Sequence, residues 1–531
     1  MNKNPVVFVT FNQVDNLGIG YLAAALLENG YKPSIIDIQN GKEEISKILK
    51  KLDPSVVGFS LILQYHIWEY KKLINYLRKK GINCHFTAGG YYASLKYEKL
   101  FEIIPSLDSI VRFEGEYTLP ELVDCISSGT DWSHIKGIAF KKDDKITVNP
   151  LRKIETYLDR LPLPFRSPLK VYALGKKYST LIAGRGCVNN CSFCNTREYF
   201  KQSSGPIKRL RKPENVVTEM ELLHFKNDCS VFLFEDDDFP VKTGRGSDWI
   251  KEFCGELVRK NLNGKIMWKI NCRPDEIDYD SFLMMKNHGL YLVFLGLDDG
   301  TDIGLTRLNK QMTVARSLEG INILKKLNIG FDYGLMLFQP TSTFKSINDN
   351  LNFLKQICSD GYTPVTFLKL MPYFETRIEK QLRMEGRLKG RLGFLNYNFY
   401  DEPLGDYYEF ITACFKKWTR DPNGLVNTSK YANIYISVFS HFYKITAEVS
   451  DIFSEARRNI CESNLFILDR MRELAEVFES EKYNKINYPD LENYRKTIRT
   501  THDKYIKQLI KCINELISQA EYQEVYKIIH N

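Results

Sequence analysis

Ala183-Gly184-Arg185-Gly186-Cys187-Val188-Asn189-Asn190-Cys191-Ser192-Phe193-Cys194 decides how this chain is read. Its cysteines are spaced Cys-x3-Cys-x2-Cys. On a helix they would fall at i, i+4 and i+7 and pack as small apolar side chains. Gly184, Gly186 and the pair Asn189-Asn190 predict a loop instead, leaving a strand at Thr180–Ala183. A structural zinc site would need a fourth ligand nearby, and no other Cys or His lies between residues 167 and 214.

Downstream of Thr180–Ala183, strands are expected at Val231–Glu235, Ile266–Asn271, Tyr291–Leu295, Gly330–Leu337 and Val365–Leu370. Helical periodicity fills Glu214–Phe225, Asp248–Lys260, Asp280–His288, Ala315–Leu327 and Phe344–Cys358. These strand–helix repeats over residues 179–395 predict a partial (β/α)6 barrel, short of the eight units of a closed one. Residues 1–130 alternate in the same way, with strands at Val6–Phe11, Ser34–Ile38, Val56–Leu61, His85–Ala88 and Ser109–Arg112. Continuous apolar strands separated by helices predict a parallel sheet covered on both faces, a doubly wound, Rossmann-like domain. Residues 131–178 read as a linker, with a hairpin around Lys142-Asp143-Asp144 and the helix-breaking Leu161-Pro162-Leu163-Pro164. Across 396–531 strand signals vanish, and Ala447–Phe478 and Asn493–Ile517 read as amphipathic helices. The expected class is α/β with a helical C-terminal region.

Composition excludes little. The chain has 531 residues, 44% hydrophobic, with a formal charge of +9 that is mild for this length and names no nucleic-acid partner. No secretory pattern opens it, and its longest late apolar stretch, Ala432–Phe442, falls short of about 18 residues, so a cytoplasmic protein without membrane association is expected. In such a chain a cysteine cluster points to metal before disulfide.

Three thiolates on a four-iron cubane leave one iron open. A molecule chelating that iron through amine and carboxylate would place its sulfonium beside the cluster, where one electron breaks a carbon–sulfur bond. With Phe193 before the last cysteine and Arg185-Gly186 before the first, the segment resembles the signature of the radical S-adenosylmethionine superfamily. Phe234-Glu235-Asp236-Asp237-Asp238-Phe239, then Trp268, Asn271 and Arg273, then Gly296-Leu297-Asp298-Asp299-Gly300, and finally Asn309-Lys310 and Gln339-Pro340-Thr341 resemble motifs along its barrel. The resemblance implies a [4Fe-4S] cluster on Cys187, Cys191 and Cys194. It further implies S-adenosylmethionine held by Phe193, Glu235, Asp236, Asp237, Asp238, Asn271, Arg273 and Asp298, with the acidic cluster on the ammonium and Asp298 on the ribose. Many relatives carry Glu at Asp298, so the reach there is one methylene shorter. Each motif falls at the C-terminal end of an expected strand, the face on which α/β barrels build sites.

The N-terminal domain resembles the cobalamin-binding module of one branch of that superfamily. The resemblance rests on Asn16-Leu17-Gly18-Ile19-Gly20-Tyr21-Leu22-Ala23, Val57-Gly58-Phe59-Ser60, Ala88-Gly89-Gly90 and Arg112-Phe113-Glu114-Gly115-Glu116. It implies cobalamin contacts from Asn16, Leu17, Gly18, Ser60, Leu61, Gly89, Gly90, Tyr91, Glu114, Gly115 and Glu116. The Gly89-Gly90 pair reads equally well as a tight turn. Two departures stand out: Asp15-x-Leu17-x-x-Gly20 offers leucine where many cobalamin proteins supply a ligating His, and Phe113 stands where relatives often have Gly.

What the resemblance implies is a cobalamin-dependent enzyme that methylates an unactivated carbon, using a 5′-deoxyadenosyl radical and methylcobalamin. Oxidative cyclisation or rearrangement by the same cofactors, and a non-catalytic cobalamin sensor, are the alternatives. Expected partners are a small-molecule or peptide substrate and an electron donor such as flavodoxin or ferredoxin. Cys272, near a strand end, reads as packing or as a hydrogen donor, and Tyr333, Tyr373 and Phe374 as core or pocket lining.

Overall fold

The structure is a computed structural model that describes residues 5–11, 16–241, 246–480 and 488–530. Asp15, from the stretch that departs from the ligating-His pattern, lies outside the described residues. The chain forms two compact units: residues 1–168, 184–215 and 372–396 make the first, and residues 169–183, 216–371 and 397–531 the second.

In the first unit, β1 (Val6–Thr10), β2 (Pro33–Asp37), β3 (Val56–Ser60), β4 (His85–Gly89), β5 (Ser109–Val111), β6 (Ile138–Lys142) and β7 (Lys145–Val148) form one sheet in the order β2-β1-β3-β4-β5-β6-β7. The first five run parallel. Their side chains alternate between two cores. Val7, Val9, Val57, Phe59, Phe86 and Ile110 pack toward the helices Lys42–Leu52 and Ile67–Lys79, while Val6, Phe8, Val56 and Val111 pack toward Leu17–Glu28 and Thr118–Ser128. Burial on both faces explains the apolar strand sequences. The order reverses between β1 and β3, which marks the switch point at which such sheets bind ligands. The expected hairpin forms as β6 and β7, but it extends this sheet antiparallel to β5 rather than bridging domains.

The second unit opens with an antiparallel hairpin that the sequence reading missed, β8 (Lys170–Ala173) and β9 (Lys176–Leu181). The chain then contributes a short ribbon to the first unit, β10 (Gly184–Arg185) with β11 (Arg209–Leu210). β12 (Cys229–Phe234), β13 (Met267–Cys272), β14 (Leu290–Asp298) and β15 (Gly330–Leu335) continue the sheet of the second unit, parallel to β9, in the order β15-β14-β13-β12-β9-β8. The strand expected at Val365–Leu370 is a correction. Only an isolated bridge, Phe338 to Lys369, forms there, with Leu368 N and Leu370 N donating to Leu335 O and Phe338 O at 3.2 and 2.8 Å and no longer ladder between them. Beyond residue 400 all described regular structure is helical, chiefly Glu402–Cys414, Leu425–Phe442, Ala447–Glu479 and Tyr488–His530. No described helix is long and apolar enough to cross a membrane.

Candidate active site

The cysteine loop begins at the β10–β11 ribbon. Gly186 has φ 87°, and a Cβ there would meet Ile207 O at 1.8 Å, so only glycine can make this turn. Residues 186–195 then run without regular structure to the helix Thr196–Gln202 and carry Cys187, Cys191 and Cys194, all half-buried. Neighbours in the same unit brace the loop backbone. Val188 O accepts from Arg197 at 3.0 Å, Ser192 O accepts from Ile378 N at 3.2 Å, and Asn190 O accepts from Arg377. Asn189 Nδ2 donates to Cys187 Sγ at 3.3 Å. Phe193, between the last two cysteines, is half-buried. Every cysteine of the chain is a thiol rather than a disulfide. Among the described residues no three Cys, His, Asp or Glu side chains converge as ligands of one ion do. Three thiols on a braced loop, with no further Cys or His in the segment, are a donor set suited to a cluster that takes three protein ligands.

Arg185, two residues before Cys187, is the anchor of this loop. It lies over the Tyr21 ring at 4.7 Å and pairs with Glu116 at 2.7 Å and Glu114 at 3.2 Å. Arg209, on the partner strand β11, donates to the other Glu114 oxygen at 2.9 Å. Burial alone would raise the Glu114 carboxyl, but Arg185 and Arg209 override it and hold it below the usual carboxylate range. Burial opposes the Arg185 charge as well, and Glu116 and Glu114 outweigh that too. The carboxylates expected to face cobalamin are thus engaged with the root of the cysteine loop.

The remaining residues expected at cobalamin sort into two groups. Asn16 caps the helix Leu17–Glu28 through Ile19 N at 3.2 Å, Leu17 and Ser60 are half-buried, and Gly18 is exposed with no close neighbour but Asn16. These line the switch-point end of β1 and β3 and offer an open backbone edge, which suits a large ligand approached by main chain. Of the others, Leu61, Gly115 and Glu116 are buried, and Gly89, Gly90, Tyr91 and Glu114 are half-buried. Gly90 has φ 104°, and a Cβ there would meet Leu61 O at 2.8 Å, while Gly115 is wedged between Leu22 and Val111. Gly89 O accepts from Leu61 N at 2.8 Å. Tyr91 stacks on Tyr199 at 4.0 Å, and Phe113, with φ 62°, packs against the same Tyr199 at 5.1 Å. The glycine pair makes a close turn on Leu61 at the end of β4, with both glycines half-buried. Burial pushes the Tyr373 phenol up, with smaller contributions from Tyr65, just past β3, and from the Cys194 thiol.

In the second unit the strand-end motifs converge on two networks. In the first, both Asp236 oxygens accept from Ala183 N at 3.0 Å, Asn271 Nδ2 donates to Asp236 O at 3.2 Å, and Glu235 pairs with Lys269 at 3.0 Å. Asp236 and Asp238 are buried, Glu235 and Asp237 exposed, the alternation of a continuing strand. In the second, Asp298 (8% exposed) pairs with Lys310 (6% exposed), whose carbonyl accepts from Arg273 at 2.7 Å. Arg273 is further held by Asp275 at 2.9 Å. Next to it Asp299 accepts from Thr301 at 2.7 Å and from Gln339 and Asn350. Three motifs far apart in sequence therefore meet, but Asp236 and Asp298 already have protein partners. Lys310 as the counter-ion of Asp298 was missed; its only signal was the Asn309-Lys310 pair. Cys272 is buried, and burial with Glu276, Asp238 and Asp275 keeps its thiol protonated.

Residues 4–123 match the B12 binding domain family and residues 181–354 the radical SAM superfamily. The chain is 27% identical over 373 residues to an uncharacterized methyltransferase of Pyrococcus horikoshii, covering 68% of this chain and 77% of that protein. It is 24% identical over 381 residues to the anaerobic magnesium-protoporphyrin IX monomethyl ester cyclase of Rubrivivax gelatinosus, covering 68% of this chain and 66% of that one. Among solved structures, the cobalamin-dependent S-adenosylmethionine radical enzyme OxsB, with aqua-cobalamin and S-adenosylmethionine bound, superposes with a TM-score of 0.66 at 16% identity, covering 97% of this chain and 84% of that one. The radical S-adenosylmethionine methyltransferase TsrM of Kitasatospora setae, with cobalamin and a [4Fe-4S] cluster bound, gives 0.61 at 16% identity, covering 72% of this chain and 75% of that one.

Proposed function

Because this chain belongs to the radical SAM superfamily and carries a B12 binding domain ahead of its radical SAM domain, we propose that it is a cobalamin-dependent methyltransferase acting on an unactivated carbon. The observation that carries the reading is the braced three-cysteine loop, joined through Arg185 to the strand-end turn of the B12 binding domain. When bound, the cluster supplies the electron that splits S-adenosylmethionine into methionine and a 5′-deoxyadenosyl radical, and cobalamin supplies the methyl carrier.

The chain's own residues bind, orient and shield. Cys187, Cys191 and Cys194 would hold three irons. Arg185, Glu114, Glu116 and Arg209 fix the loop root, and Asp236 fixes the chain at Ala183 through its amide. Asp237 and Glu235, the latter already paired with Lys269, reach solvent with their side chains and would be the carboxylates to meet the ammonium of S-adenosylmethionine. Asp298 would present one oxygen to the ribose while Lys310 holds the other. Leu17, Gly18 and Ser60 would meet the corrin. A one-electron donor such as flavodoxin or ferredoxin completes the requirement.

The similarity to a cyclase favours a second reading, oxidative cyclisation by the same cofactors. Product mass separates the two. Methylation gives a product heavier by one CH2 unit, with S-adenosylhomocysteine alongside 5′-deoxyadenosine, whereas cyclisation gives neither the added mass nor S-adenosylhomocysteine.

A further inference from the structure

Outside the machinery above, the helices of the C-terminal region wall a cavity of about 740 Å³. Six cations line it: Lys416, Lys417, Arg420, Arg495, Lys496 and Arg499. Two are compensated, Lys417 by Asp503 at 2.9 Å and Arg495 by Glu492 at 3.2 Å. Lys416, Arg420, Lys496 and Arg499 make no ion pair among the described residues. The lining Asp421 turns its carboxylate to the backbone of Asn423 at 2.9 Å, closing a local turn.

The floor is rigid. Trp418 is buried, stacks on Phe466 at 5.7 Å and donates to Ile498 O at 3.2 Å. His502, also lining the cavity and 1% exposed, contacts Asp503 through Nδ1 at 2.9 Å, and its Nε2 has no hydrogen-bond partner.

Lys416, Arg420, Lys496 and Arg499 are exposed, so solvent screens their mutual repulsion, and what four like charges without an ion pair among the described residues add to one concavity is a positive potential that favours an anion. A concave wall also focuses their field, and the volume falls within the range of small-molecule sites. Guanidinium forks match phosphate oxygens, and two phosphate groups at about −1.5 to −2 each bring about −3 to −4 to a lining where four unpaired cations outweigh the Asp421 carboxylate. A nucleic acid would need an extended basic track with exposed rings for base stacking, and here the one tryptophan is buried.

We propose that this cavity binds a small molecule carrying two or more phosphate groups, at a site separate from the radical chemistry. The test is calorimetric titration of the full-length protein at low salt with inorganic pyrophosphate, ATP and inorganic phosphate. Saturable binding of pyrophosphate, weaker binding of phosphate, and a loss of about tenfold or more in Arg420→Ala/Arg499→Ala are expected. Tighter binding of ATP than of pyrophosphate would mark a nucleotide as the source, and equal binding a free polyphosphate. Lys496→Glu should weaken pyrophosphate as well, and both variants should keep wild-type melting temperature and 5′-deoxyadenosine formation. No pyrophosphate binding, or binding unchanged in folded variants, overturns the proposal. Should the double variant fail to fold, protection of Arg420 and Arg499 from phenylglyoxal by pyrophosphate decides the question, and absence of protection overturns it.

Discussion

Arg185 and Glu116 lie 2.7 Å apart, with side chains 13% and 8% exposed, and join the root of the cysteine loop to the turn that follows β5 of the B12 binding domain. Removing one member of a buried pair leaves the other uncompensated. Arg185→Met should therefore cost about 3–5 kcal/mol of stability, and Glu116→Ala less, because Glu114 at 3.2 Å still pairs with Arg185. The same variants should lower iron and sulfide bound per chain after anaerobic reconstitution, because the loop loses its anchor. Denaturant unfolding and iron analysis check this, and wild-type values for both would refute it.

Phe113 holds φ 62° with its ring buried against Tyr199. A left-handed backbone costs a non-glycine residue about 1–2 kcal/mol. Phe113→Ala loses the ring and keeps the strain, whereas Phe113→Gly loses the ring and releases the strain. Glycine should thus be the more stable of the two by about 1 kcal/mol or more, against its usual entropic disadvantage. Chemical denaturation of the two variants side by side measures it.

Asp298 and Lys310 form a nearly inaccessible pair, so Lys310→Met should destabilise by about 3–5 kcal/mol while Lys310→Met/Asp298→Leu recovers much of that loss. A double-mutant cycle tests the coupling. Additive effects would show that the two side chains act independently.

Lys369, at the isolated bridge beside β15, sits among the rings of Tyr397, Phe399 and Tyr408 at 4.4, 4.6 and 4.6 Å and donates to Tyr397 O. Burial pulls its pKa down from 10.5 to about 8, with Glu409 opposing only in part. Between those values the unfolded chain binds more protons than the folded one, so this residue makes stability rise with pH from about 8 to 10.5. Below about 8 its full penalty is present. Lys369→Met should be more stable than wild type at pH 7, and the advantage should shrink toward pH 10. Melting temperatures across that range check the trend.

Much of this organisation is legible in the residues, for physical reasons that differ by element. Apolar runs such as Val6–Thr10 and Cys229–Phe234 are buried on both faces and so announce themselves. Gly184 and Gly186 mark the loop because a ribbon strand crosses close beneath them. Pairings over long separations are not legible. Nothing local in Glu114 says that Arg209, 95 residues on, takes its carboxylate, and the motif looks the same whether it faces a ligand or a guanidinium. Lys310 is equally silent about Asp298. Val365–Leu370 has strand composition, and nothing in it tells that its pairing stops at a single bridge. The helix Leu425–Phe442 hides because Asn433 and Ser437 interrupt its apolar pattern while bonding to backbone carbonyls.

Cys187, Cys191 and Cys194 are proposed to hold a cluster that cleaves S-adenosylmethionine. The most direct test is anaerobic reconstitution with iron and sulfide, reduction with dithionite, and chromatographic measurement of 5′-deoxyadenosine and methionine from S-adenosylmethionine, in wild type and Cys191→Ala. Wild type should yield both products and the variant neither. A wild-type protein with an intact iron–sulfur spectrum that yields neither product, or a Cys191→Ala variant that yields both at the wild-type rate, would contradict it.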